Sequence, residues 1–91
     1  MANSIGSKNL TADAYVLAVN VPTRVYGVIL KGSGATTVTL KNANATEYDV
    51  VTSADGTIVR VNYPGGLLFP GGCYADVGDN ITYVTVIYEK E

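Results

Sequence analysis

The chain has 91 residues with six Lys plus Arg, eight Asp plus Glu, seven Tyr, one Cys and no His or Trp, a single small domain that exposes about 5,000 Å² of about 14,000 Å² after folding and is too shallow for a large enclosed active site. Without His it lacks the usual acid/base at neutral pH and the commonest metal ligand, and one Cys forms neither an internal disulfide nor a Cys-based zinc site. Only 15% of residues are charged while 47% are hydrophobic, so a domain averaging about 25% charge elsewhere is here left with apolar and Tyr-rich surface suited to another subunit; the alternative is a Thr-rich surface with Tyr scattered singly along strands.

Residues 1–13 have no periodic pattern and read as an N-terminal arm, disordered in isolation or ordered by a neighbour, ahead of a β-sandwich domain over residues 14–91. The apolar stretch Ala14 to Val19 is too short to span a membrane. It also makes a poor signal peptide, because Asp13 precedes it, Lys8 is the only nearby basic residue, and Asn20 and Pro22 follow; the expectation is synthesis in a cytoplasm without secretion. Within it Tyr15, Leu17 and Val19 alternate with smaller residues as a first strand. Val25 to Leu30 is nearly all apolar and predicts a central strand buried on both faces. Gly32-Ser33-Gly34 turns the chain into Thr37 to Lys41, where Val38 and Leu40 alternate with Thr37, Thr39 and Lys41.

Asn42 to Thr46 reads as a polar loop. Tyr48 to Thr52 and Thr57 to Val61 are two further strands around Ser53-Ala54-Asp55-Gly56, and Asp-Gly between β runs is the strongest local hairpin cue in the sequence. In the segment Pro64 to Gly72 the prolines exclude a central strand, although Leu67 to Phe69 suits a short edge element. Cys73 to Val77 follows, Gly78-Asp79-Asn80 turns, and Ile81 to Tyr88 closes the chain with Val84 and Val86 opposing Tyr83, Thr85 and Ile87. About eight strands at a spacing near ten residues, with no helix signal, predict an all-β, single-domain antiparallel β-sandwich of the jelly-roll or Greek-key kind.

No constellation calls for catalysis, a metal or a cofactor. Asp76, Asp79 and Asn80 offer oxygens around a turn, but calcium takes six to eight and Asp and Asn in turns ordinarily satisfy local backbone groups. Asp49, Asp55, Asp76 and Asp79 lie in no setting recognisable for paired-carboxylate chemistry. Cys73, with no His to activate it, reads as a small buried hydrophobe. Lys8, Arg24, Lys31, Lys41, Arg60 and Lys90 are spread along an acidic chain, so neither nucleic acid nor a membrane is the expected partner. Arg24 and Arg60 are either interface cations or ordinary surface residues. Tyr63, Leu67, Leu68 and Phe69 are either an apolar edge contact or a cap on the sandwich end.

Three stretches carry a family likeness: Val25-Tyr26-Gly27-Val28-Ile29-Leu30-Lys31-Gly32, then Val38-Thr39-Leu40-Lys41, and Gly71-Gly72-Cys73-Tyr74-Ala75-Asp76-Val77 through Val84-Thr85-Val86-Ile87-Tyr88. They resemble the strands and turns of small tailed-bacteriophage virion proteins over about residues 14 to 89, with Cys73 where a Leu is more usual. The resemblance implies a structural protein of the virion, made in the host cytoplasm: a capsid decoration or cement subunit that binds the major capsid protein of the assembled head, commonly as a homotrimer, with no cofactor. A tail, baseplate or head-fibre component is the alternative, and a carbohydrate-binding module the second.

Overall fold

A computed structural model describes residues 5–91. Among them are eight strands and no helix: β1 (Ile5–Leu10), β2 (Ala14–Tyr15), β3 (Thr23–Gly32), β4 (Thr36–Asn42), β5 (Thr46–Ser53), β6 (Val59–Phe69), β7 (Cys73–Val77) and β8 (Ile81–Lys90). They form two four-stranded antiparallel sheets, β1-β8-β3-β6 and β2-β7-β4-β5. First pairs with last, second with seventh, third with sixth and fourth with fifth, which is how a folded-over ribbon wraps into a jelly roll rather than a simple Greek key. The all-β sandwich read from the sequence is therefore the fold, and its accessible surface, 4707 Å², is close to the value that chain length dictates.

Period-2 alternation builds the core. Val25, Val28 and Leu30 of β3, Val38 and Leu40 of β4, Cys73 and Ala75 of β7, and Val84 and Val86 of β8 are fully buried between the sheets. Their neighbours Arg24, Tyr26, Ile29 and Lys31, or Thr37, Thr39 and Lys41, are half-buried on the outer faces. β3 is central, as its apolar run predicts, but it is buried on one face only. A two-layer sandwich has no third layer to cover Ile29. In the first apolar run Val16 is the core residue and Val19 is 51% exposed; only Ala14 and Tyr15 pair as a strand, and the chain leaves the sheet before the expected alternation can continue.

Two other expectations are corrected. Residues 5–10 of the expected arm are an edge strand: β1 pairs with β8 from Ile5↔Glu89 to Leu10↔Val84, and Leu10 is buried. Backbone hydrogen bonding to β8 orders a segment that has no side-chain period to advertise it. Residues 1–4 of that arm lie outside the described residues. The Asp55-Gly56 turn, in turn, makes no hairpin, since β5 pairs with β4 and β6 with β3, so this turn carries the chain from one sheet to the other. The tight hairpin is β4–β5. There Ala43 and Asn44 take φ of 54° and 55° and the Ala45 N–H donates to the Asn42 carbonyl at 3.0 Å, the positive φ pair that matches strand twist.

The turns lock to one another at each end of the sandwich. At one end the Gly32 N–H donates to the Gly56 carbonyl (3.2 Å) and the Ser33 N–H to the Asn80 carbonyl (2.8 Å), joining the β3–β4, β5–β6 and β7–β8 connections. At the other the Asn20 N–H donates to the Gly71 carbonyl (2.8 Å) and the Ala43 N–H to the Gly72 carbonyl (3.0 Å). The loops are thereby part of the frame, and the surfaces left for function are the outer faces of the sheets and their edges.

Candidate functional site

The Pro/Gly segment expected to carry an apolar contact is the second half of β6, an edge strand. Its register to β3 breaks between Asn62↔Gly27 and Leu67↔Val25, so Tyr63-Pro64-Gly65-Gly66 bulges opposite Tyr26. A Pro cannot donate to a ladder, and the bulge at a sheet edge accommodates it. Beyond the bulge alternation resumes: Leu67 and Phe69 turn inward and Leu68 outward.

The four predicted contact residues therefore divide. Phe69 is fully buried, and its ring stacks on Tyr48 with centroids 4.7 Å apart and planes 26° apart. Tyr63 packs against the core, and its hydroxyl donates to Asp49 Oδ2 at 2.6 Å. Leu67 is half-buried against the same core. These contacts close the β5–β6 side of the sandwich, and Phe69 in particular is a core residue and not a surface contact. Only Leu68, at 37% exposure, presents a large apolar side chain to solvent from this segment.

Burial and the Asp49 hydrogen bond raise the Tyr63 phenol above its ordinary value, and burial pushes the Cys73 thiol up to about 12. Both groups are thus held neutral by folding. A raised folded-state pKa contributes stability that is fully present below the unfolded pKa, about 8.5 for Cys and 10 for Tyr, and is lost as pH rises toward the folded value. Denaturant midpoints should fall as pH goes from about 9 to 12. Tyr63→Phe should start about 1–2 kcal/mol less stable at neutral pH, because Asp49 loses a donor, and should fall less steeply in alkali; a curve superimposable on the wild type's would show that the Tyr63–Asp49 link contributes nothing. With its thiol protonated and its sulfur enclosed, Cys73 is placed as a packing residue, in keeping with the sequence reading.

The two predicted cations lie on one face but not together. Arg24, opposite Leu68 in the register, donates from Nε and Nη2 to Glu91 Oε1 at 3.1 and 3.0 Å and from Nη1 to the Gly65 carbonyl at 3.3 Å, so it lies across the bulge with its charge partly matched; the Glu91 hydrogen bond raises its pKa further. Arg60 stands exposed opposite Ile29. Two of the acidic candidates are likewise occupied: Asp76 Oδ2 accepts from Lys41 Nζ at 2.7 Å and Asp55 Oδ1 accepts from the Thr57 N–H and hydroxyl at 3.0 and 2.5 Å; beside them the neutral Asn80 amide donates to the Ala35 carbonyl at 3.1 Å. No cluster of three or more His, Cys, Asp or Glu side chains suited to a metal, and no pocket, occurs among the described residues.

What the sequence reading missed is the surface apolar set. Ile5 (61%), Ile58 (53%) and Val50 (50%) are more exposed than Leu68. The outer face of the β1-β8-β3-β6 sheet also carries a half-buried stripe of Tyr26, Ile29, Ile87 and the more exposed positions around them. The stripe was legible in principle: these residues alternate with the core valines and leucines of the same strands. On the other outer face Tyr15 and Tyr74 meet edge to face, centroids 5.0 Å apart at 68°, an angle that offers no flat platform. Comparison with protein-family models, with curated proteins and with solved structures gives no match.

Proposed function

We propose that this chain is a non-catalytic structural subunit of a tailed-bacteriophage particle, a decoration or cement protein that binds the major capsid protein on the assembled head and acts there as a homotrimer. The observation that carries the reading is a closed, turn-locked sandwich without a pocket among the described residues whose surface is poor in charge and holds large apolar side chains in the open, Leu68 and Val50 among them. Such a body suits cementing, which needs rigidity and repeated small apolar contacts, because many weak sites on a symmetric lattice add up to firm attachment. The phage assignment itself rests on the strand and turn resemblance.

The test is co-sedimentation with purified expanded heads, immature shells and immobilised host glycans. Binding to expanded heads alone is the expected result. Glycan binding by the isolated monomer, or no binding to heads, would overturn it. Leu68→Asp places a charge in the proposed contact and should weaken head binding about tenfold or more while the circular dichroism spectrum is retained; unchanged binding by the folded variant would remove Leu68 from the contact.

A further inference from the structure

We infer that the outer face of the β1-β8-β3-β6 sheet is a two-fold self-association surface whose partner is a second copy of this chain. β3 and β8 pair as Arg24↔Glu89, Gly27↔Ile87, Ile29↔Thr85 and Lys31↔Tyr83, and these residues sit on the outer face because the intervening Val28 and Val86 are core. Two contacts fix the orientation: a Cβ built on Gly27 lies 3.7 Å from Ile87 Cδ1, and the Tyr26 hydroxyl donates to Glu89 Oε1 at 2.8 Å. On the flanking strands Ile5 stands beside Glu89, Ser7 beside Ile87 and Asn9 beside Thr85, while Leu68 stands beside Arg24, Asn62 beside Gly27 and Arg60 beside Ile29. The face is therefore a set of rows that cross all four strands.

Two copies that meet face to face are related by an axis lying in the contact plane, and aligned sheets keep their strands within about 30° of each other, so the axis runs either along the strands or across them. Along the strands, between β3 and β8, it lays each row over the same row reversed. Arg24 of one copy then faces Glu89 of the other, Ile5 faces Leu68, Ile29 faces Thr85, Ser7 faces Asn62, Asn9 faces Arg60, and Lys31 faces Tyr83, a cation on an aromatic ring; at the level of Gly27, which is buried under its own Ile87, the two Ile87 side chains approach each other across the axis. Each of these matches is compatible, and in an isologous contact each match between unlike positions occurs twice; Tyr26, in the bulge, stays bonded to Glu89 of its own copy. The two open apolar side chains at the sheet's opposite edges, Ile5 and Leu68, cover each other. Across the strands, at the level of Val28, the axis would instead lay each strand over itself and bring Arg24 onto Lys31, a like-charge contact that repels. Against that across-strand arrangement the charges favour the first.

Size sets the strength. Four strands at about 4.8 Å and seven residue levels at about 3.3 Å give a footprint of about 19 by 23 Å, well under the roughly 800 Å² per partner of a standard interface, so the dimer is a weak, reversible one in the micromolar range or above.

Leu68 serves both contacts, so one copy makes either the dimer or the head contact at a time; the dimer does not otherwise depend on the capsid reading, and its test contains no capsid, so either fails without the other. Sedimentation equilibrium of the full chain up to about 1 mM should show a monomer–dimer equilibrium. Arg24→Glu and Glu89→Lys, each folded by circular dichroism, should weaken it about tenfold or more, because each puts two like-charge pairs into the contact. Mixing the two variants in equal amounts should restore dimer, since the introduced glutamate of one then faces the introduced lysine of the other, and the native Glu89 of the first faces the native Arg24 of the second. Ile5→Asp, on the exposed edge strand, should also weaken the dimer about tenfold or more. A wild type that stays monomeric, an oligomer of any size indifferent to both charge reversals, a mixture that fails to recover dimer, or a dimer unmoved by Ile5→Asp would each overturn the proposal.

Discussion

Phe69→Ala is expected to destabilise the fold by about 3–5 kcal/mol. At roughly 4–8 °C per kcal/mol for a domain of this size, the melting temperature falls by about 12–40 °C. The ring is fully buried where the β5 and β6 edges meet, and Tyr48 lies stacked on it, so truncation removes transfer energy, leaves a cavity and strips Tyr48 of its stacking partner. Small domains hold only about 5–15 kcal/mol in total, and the variant should be near the limit of folding. Leu68→Ala, one residue away on the outer face, should cost about 1 kcal/mol or less. Urea melts of the two variants make the comparison. Equal, small effects would place Phe69 outside the core and reopen its reading as a contact residue.

Gly56→Ala should cost about 2–4 kcal/mol, more than a turn substitution ordinarily does. Gly56 has φ of +88°, which L side chains resist at about 1–3 kcal/mol. A Cβ there would also stand 2.6 Å from the Gly32 carbonyl oxygen and 2.9 Å from the Gly34 nitrogen. Both are backbone atoms, and the Gly32 N–H is bonded to the Gly56 carbonyl, so the clash cannot relax without moving the neighbouring β3–β4 turn. Gly65 is the internal comparison: its φ is +79° but nothing lies within 4 Å of an added Cβ. Gly65→Ala should show the conformational term alone, about 1–2 kcal/mol. If the two glycine variants melt together, the interlock of the turns is not what holds that end of the sandwich.

The sandwich was legible because strand formation here is written locally. Val38 and Leu40, or Val84 and Val86, alternate with polar or aromatic neighbours, and alternation alone says that one face is wet and the other dry. The proline bar on a central strand is sound for the same reason, as a missing N–H is a property of one residue. Composition also bounded the chemistry on offer, since a chain with no His and one Cys has few ways to assemble a reactive centre.

Which strands share a sheet was decided only by the tertiary structure. Asp55-Gly56 would suit a hairpin, but β6 pairs with β3 and β5 with β4, strands that the local sequence does not name as partners, so the turn is a crossing. Residues 5–10 carry no period, yet an open edge of β8 recruits them through backbone groups that are the same in every sequence. The contact residues diverged likewise. Tyr63, Leu67 and Phe69 turned inward and Leu68 outward because the bulge at Tyr63-Pro64-Gly65-Gly66 fixed the phase of the residues after it, and a one-residue slip exchanges the faces. The match of Arg24 to Glu89 and of Ile5 to Leu68 across a two-fold axis was beyond reach of the linear chain, for it exists only once strand pairing has set all four residues in one row of one face.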